Sequence, residues 1–93
     1  MFVRPSLVAL AVASLLVAPP LAAQANRADS IRTAGQIDAA GKHAEARAIY
    51  QALIATAPDA AAKAAATRRL AMSYGYDANC AKVIELEEQV IAY

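Results

Sequence analysis

Residues 43–58 read HAEARAIYQALIATAP, and their spacing decides the fold class. Ala46, Ile49, Tyr50, Leu53, Ile54 and Ala57 fall at i, i+3, i+4, i+7, i+8 and i+11, which is one continuous apolar stripe on a helix. Glu45, Arg47, Gln51 and Thr56 lie off that stripe or at its edge. Pro58 ends the element, because proline disfavours helical geometry at the residue before it. The pattern predicts a helix over about 43–56.

Downstream, Asp59 is placed to cap a third helix over about 60–74, with Leu70, Ala71 and Tyr74 on its apolar face and Ala60, Ala64 and Thr67 extending it. Gly75 is expected to close that helix, and Tyr76-Asp77-Ala78-Asn79 to form a turn rich in capping residues. A fourth helix follows over about 80–92, where Val83, Leu86, Val90 and Tyr93 share a face and Glu85, Glu87, Glu88 and Gln89 form the wet side. Upstream, Ile31, Ala34 and Ile37 or Asp38 give a weaker stripe over about 28–40, with Asn26 as its expected N-cap and Gly41 as its stop. Gly35 falls mid-helix and costs stability unless another backbone packs closely against it. β-branched residues are scattered rather than alternating, so strands have no support. The fold class is therefore all-α, as two antiparallel helical hairpins in series.

The first 25 residues stand apart. Met1–Arg4 carries one positive charge, Leu7–Ala18 is a run of Leu, Val and Ala broken only by Ser14, and Pro19-Pro20 closes it. Ala23-Gln24-Ala25 supplies the small-x-small pattern of a signal-peptidase site, so residues 1–25 read as a cleavable signal with cleavage before Asn26. A spanning helix needs about 20 apolar residues, and this run is shorter. Retention as a membrane anchor is thus the weaker alternative. The expected location is outside the cytoplasm, periplasmic or secreted.

The residues of the second predicted helix carry a resemblance. Ala46, Tyr50, Leu53 and Pro58 have the spacing of the tetratricopeptide signature over its second helix, and Ala40-Gly41-Lys42-His43-Ala44-Glu45-Ala46 is similar to that family's inter-helix turn. In physical terms Ala46 permits close helix approach, Tyr50 fills the gap between helices and Pro58 turns the chain into the next unit. Departures are plain: Ser30 and Ala34 stand where the family often has tryptophan and glycine, Val83 follows Ala46 by 37 residues rather than 34, and Glu87 stands in the place of Tyr50. The resemblance covers about residues 37–60 and implies a helical-repeat fold with a protein-binding role.

Charge and chemistry exclude more than they propose. From Asn26 onward, eight basic residues balance eight acidic ones, so the basic excess of a nucleic-acid binder is missing. Cys80 is the only cysteine, which rules out an intramolecular disulfide; its expected place is a buried helix–helix contact. His43 is the only histidine and has no cluster of metal ligands around it in sequence. A Cys80–His43 pair would lack an orienting third residue, so no catalytic residue, cofactor or metal is expected. Tyr74, Val90 and Tyr93 are the candidate interaction face.

Alanine-rich helices bury little area, and a mature chain of this size without disulfide or metal has a marginal core. Val90-Ile91-Ala92-Tyr93 ends within an apolar stripe, so a covering surface is expected from another copy, a partner or further repeats. The functional expectation is an exported scaffold or adaptor that binds a protein or peptide; in the case where further repeats supply the cover, it is the leading part of a longer repeat protein. The alternative is a small structural protein that completes its core by homo-oligomerisation. No nucleic acid, cofactor or membrane span enters either reading.

Overall fold

The computed structural model describes residues 21–93, and it is all-α: α1 Leu21–Ala39, α2 His43–Ala55, α3 Ala60–Tyr76 and α4 Cys80–Ala92. The signal reading for residues 1–20 lies outside the described part. Each helix packs on the next, α1 on α2, α2 on α3 and α3 on α4, while α1 touches α3 only lightly. The chain therefore forms two antiparallel hairpins laid side by side.

Both hairpins share one register. α1 ends at Ala39 and α3 at Tyr76, α2 begins at His43 and α4 at Cys80, and α2 ends at Ala55 and α4 at Ala92, each pair 37 residues apart. The two tight turns are equivalent in hydrogen bonding as well. Lys42 N–H donates to Ile37 O and Gly41 N–H to Asp38 O; 37 residues on, Asn79 N–H donates to Tyr74 O and Ala78 N–H to Gly75 O. This double pattern is the Schellman closure of a helix, and it needs a left-handed residue at its centre. Gly41 supplies it at φ +90°, and Ala78 supplies it at φ +55°.

That geometry corrects one expectation. Gly75 does not close α3; the helix runs through it to Tyr76, because the turn places its left-handed position at Ala78, the counterpart of Gly41. α1 also begins earlier than expected, at Leu21, so Asn26 lies inside the helix and is not its cap. Asp59 does cap α3, accepting from Ala62 N–H at 2.8 Å, and Asn79 caps α4, accepting from Lys82 N–H at 3.2 Å. Gly35 has no backbone pressed against it: a Cβ there would meet only the Tyr50 hydroxyl, at 3.8 Å.

The core is small and follows the stripes. Ala34, Ala46, Tyr50, Leu53, Ala66, Leu70, Ala71 and Leu86 are buried, with Ile31, Ile37, Ile49, Ile54 and Tyr74 packed around them. Ala34 and Ala46 are fully covered, and Tyr50 is 2% exposed, which is the close approach and gap filling that a small–aromatic spacing permits. Cys80 is exposed at the first turn of α4, not buried between helices. It sits on the outer end of the second hairpin, in the place His43 takes in the first.

Candidate interaction groove

What joins the hairpins is a chain of polar side chains that helical periodicity did not reveal. Asp38, in the last turn of α1, is 3% exposed, and Ser73 on α3 is fully buried. The Ser73 hydroxyl donates to Asp38 Oδ1 at 3.0 Å, and His43 Nδ1 lies 2.6 Å from the same oxygen. A carboxylate only accepts, so Asp38 requires the His43 tautomer that carries its proton on Nδ1. From the other side Arg47 donates through Nε to Ser73 Oγ at 2.8 Å, through Nη2 to Ser73 O at 2.8 Å, and to Asp77 Oδ2 at 2.6 Å. Its guanidinium stacks over Tyr74, 4.2 Å from the ring centre, and the His43 ring stacks on Tyr76 at 4.9 Å.

The connectivity defines what this cluster does. Ser73 gives its proton to a carboxylate and His43 points its Nδ1 at the same atom, so the histidine is not hydrogen-bonded to the serine. A nucleophile needs access to substrate as well as a base, and Ser73 is fully buried. The cluster is a satisfied clip between α1, α2 and α3; no buried side-chain nitrogen or oxygen among the described residues is left unpaired. Arg47, read from sequence as an edge position, is its centre. Among the described residues there is no group of three metal-binding side chains, and no helix is long and apolar enough to cross a membrane.

Beside the clip lies an open groove of about 540 Å³, lined by Ala28, Ile31, Arg32, Gly35, Gln36 and Ala39 of α1 and by Arg69 of α3. A second hollow continues it toward the α2–α3 loop, sharing Ala28 and Ile31 and adding Gln24, Arg27, Pro58, Asp59 and Ala62. Its lining mixes Ala28, Ile31, Gly35 and Ala39 with polar Gln36 and the cations Arg32 and Arg69. Arg32 is already paired with Asp29 at 2.9 Å. Arg69 makes no ion pair among the described residues. Burial first, and the Asp38 carboxylate second, push the Tyr50 phenol above its ordinary range, while the Arg69 charge pulls the other way. At the far end Arg27 donates to Leu53 O at 2.7 Å and to Thr56 Oγ1 at 3.3 Å, placing a cation on the free carbonyls that end α2.

The three residues singled out from sequence do not share one surface. Tyr74 is half-buried beneath Arg47, with Lys82 Nζ 5.9 Å from its ring. Tyr93 folds back on the other end of α3: its hydroxyl lies 3.0 Å from Thr67 Oγ1 and Lys63 Nζ sits 4.8 Å from its ring. The two tyrosines thus close opposite ends of the second hairpin, with Val90 half-buried between its helices. Tyr93 stays 38% exposed, and the other exposed large apolar side chains are Leu21, Met72, Tyr76, Ile84 and Ile91. The sequence pattern already set Ile91 in an apolar stripe that needs cover, while Ile84 flanks the predicted apolar face of α4. No family model matches the chain, and searches of curated proteins and of solved structures return no match.

Proposed function

We propose that the chain is an exported, tetratricopeptide-like scaffold whose α1–α3 groove holds a segment of another protein. The observation that carries this reading is the groove: an open channel lined in part by Ala28 and Ile31, with an unpaired cation at Arg69, beside a buried clip. A preformed concave surface with few oriented polar groups is the usual form of a binding site. The 37-residue repeat of helix ends and turns supports the repeat-protein part of the reading. Tetratricopeptide units are 34 residues long, so the likeness is one of design, a small–aromatic helix pair closed by a turn.

Export is supported by the order of charge, apolar run and Ala23-Gln24-Ala25 in the first 25 residues. Cleavage before Asn26 also agrees with the packing. It removes residues 21–25 of α1, none of which is buried, taking Gln24 from the second hollow but leaving Arg27, Ala34 and Asp38 in place. N-terminal sequencing of the exported protein is expected to begin at Asn26; retention of Leu21 in the mature chain refutes the cleavage site. For the groove, a photo-crosslinking residue at Gln36 is compared with one at Gln89, on the exposed side of α4. A discrete protein adduct from Gln36 alone supports the reading. Equal labelling at both positions, or none at either, sinks it.

A further inference from the structure

The shared 37-residue register lets the open side of the second hairpin be read from the closed side of the first. In hairpin one, Ile31 and Gly35 line the cleft against Arg69, Arg47 bonds to Ser73 and Asp77, and Tyr50 and Ile54 pack into the core. Their counterparts in hairpin two are Arg68, Met72, Ile84, Glu87 and Ile91. All five are exposed, with Met72 at 59%, Ile84 at 58% and Ile91 at 84%. The face on which hairpin two would receive a neighbour is therefore uncovered, with Met72, Ile84 and Ile91 apolar and Arg68 and Glu87 charged. At the opposite end of the molecule, the counterparts of buried Ala66, Leu70 and Ser73 are Asp29, Thr33 and Gln36, also exposed. That end is polar, so copies stacked head to tail would set Asp29 and Thr33 against Ile84 and Ile91 at a desolvation cost.

We propose that the Met72–Ile84–Ile91 face binds the same face of a second copy, with α3 of each protomer lying on α4 of the other. The charges select this arrangement. Tyr74 sits opposite Lys82 and Lys63 opposite Tyr93 within the hairpin, which sets Met72 level with Ile84, Arg68 within one residue of Glu87, and Ala65 level with Ile91. A two-fold axis running along the hairpin places α3 over the partner's α4 at those same levels. Met72 then meets an isoleucine, and Arg68 meets a glutamate, twice over, as an isologous contact requires. A two-fold axis across the hairpin would instead put arginine on arginine and glutamate on glutamate. Neither Arg68 nor Glu87 makes an ion pair within the chain among the described residues. The contact leaves the α1–α3 groove open, so it is independent of what that groove binds.

The test is sedimentation equilibrium of the exported protein over a hundredfold concentration range, with a thiol reductant present to remove cross-links through Cys80. A dimer is expected. Ile84→Glu and Met72→Glu should each weaken it by about tenfold or more, the effect of an uncompensated charge in an apolar contact, with the helical circular dichroism of the monomer unchanged. Thr33→Glu, on the polar end, should leave the dimer intact. Arg68→Glu and Glu87→Arg should each weaken association, and the doubly exchanged protein should recover it. A monomer at every concentration overturns the proposal and gives the face to a different helical partner. So does growth beyond a dimer that Thr33→Glu abolishes, which is head-to-tail stacking. Failure of the double exchange to restore association overturns the α3-on-α4 arrangement.

Discussion

Replacing Asp38 with alanine asks whether the hairpins are joined by the buried clip or by apolar contact alone. The substitution strands two donors, the fully buried Ser73 hydroxyl and His43 Nδ1–H. A buried donor left without a partner costs roughly 1–3 kcal/mol. Ser73 should sit near the top of that range. The His43 side chain, 24% exposed, reaches water and should sit near the bottom. The sum is about 4 kcal/mol. Typical stability of about 0.05–0.15 kcal/mol per residue gives a domain of this size about 4–11 kcal/mol in total, so Asp38→Ala should remove a third or more. Asp38→Asn keeps an acceptor oxygen between the same donors and gives up only the charge assistance, about 1 kcal/mol. Urea titrations followed by far-UV circular dichroism measure both, with an unchanged slope confirming that the folded end point is the same. If Asp38→Ala loses less than about 1 kcal/mol, or if Asn is as costly as Ala, the clip does not hold the hairpins and the reasoning fails. A double-mutant cycle with Ser73→Ala should show a coupling close to one hydrogen bond, about 1 kcal/mol.

Three further outcomes follow from the geometry. The Tyr50 phenol is raised by burial and by Asp38 above its ordinary value of 10.0, so the unfolded chain ionises first; stability is intact below about pH 10 and falls above it. Thermal melts should lose Tm more steeply above that pH in the wild type than in Tyr50→Phe, and parallel curves would refute the buried phenol. Gly41→Ala should cost about 1–2 kcal/mol, whereas Ala78→Gly should gain less than about 1 kcal/mol, because both positions are left-handed and only one has a Cβ to strain. Chemical denaturation that gave both substitutions the same sign would refute the equivalence of the two turns. Asp59→Ala should cost about 1 kcal/mol through loss of the α3 cap, and Asp59→Asn nearly nothing, as read by denaturant midpoints.

The helices and their pairing were legible because local rules and tertiary packing agreed on them. The Ala46–Ile49–Tyr50–Leu53 stripe, Pro58, the Asp59 cap and the short Gly41 turn each specify a helix or its boundary through interactions a few residues long. Four helices, all-α, in two antiparallel hairpins follow from those signals, and the structure has that form. Where two local signals competed, the stronger geometry prevailed: Gly75 looked like a stop, but the turn's hydrogen bonds set the left-handed residue at Ala78.

The site was not legible in the same way, because Ser73 meets Arg47 and Asp38 across sequence separations of 26 and 35 residues. Asp38 appeared only as an ambiguity beside Ile37 on a weak stripe. Ser73 carried no signal at all, and Arg47 looked like solvent edge. A polar residue on an apolar stripe was the one available hint, since a buried carboxylate demands donors, but nothing local says which donors arrive. Likewise the spacing of Tyr74, Val90 and Tyr93 placed them on helix faces without saying that Arg47, Thr67 and Lys63 would occupy those faces from within the chain. Local sequence specified the helices, their order and the Asp59 cap, since these depend on backbone hydrogen bonds and side chains within a turn or two. Tertiary structure alone decided the clip, the groove and the uncovered α3–α4 face, since burial and charge pairing at those positions depend on how one hairpin lies on the other.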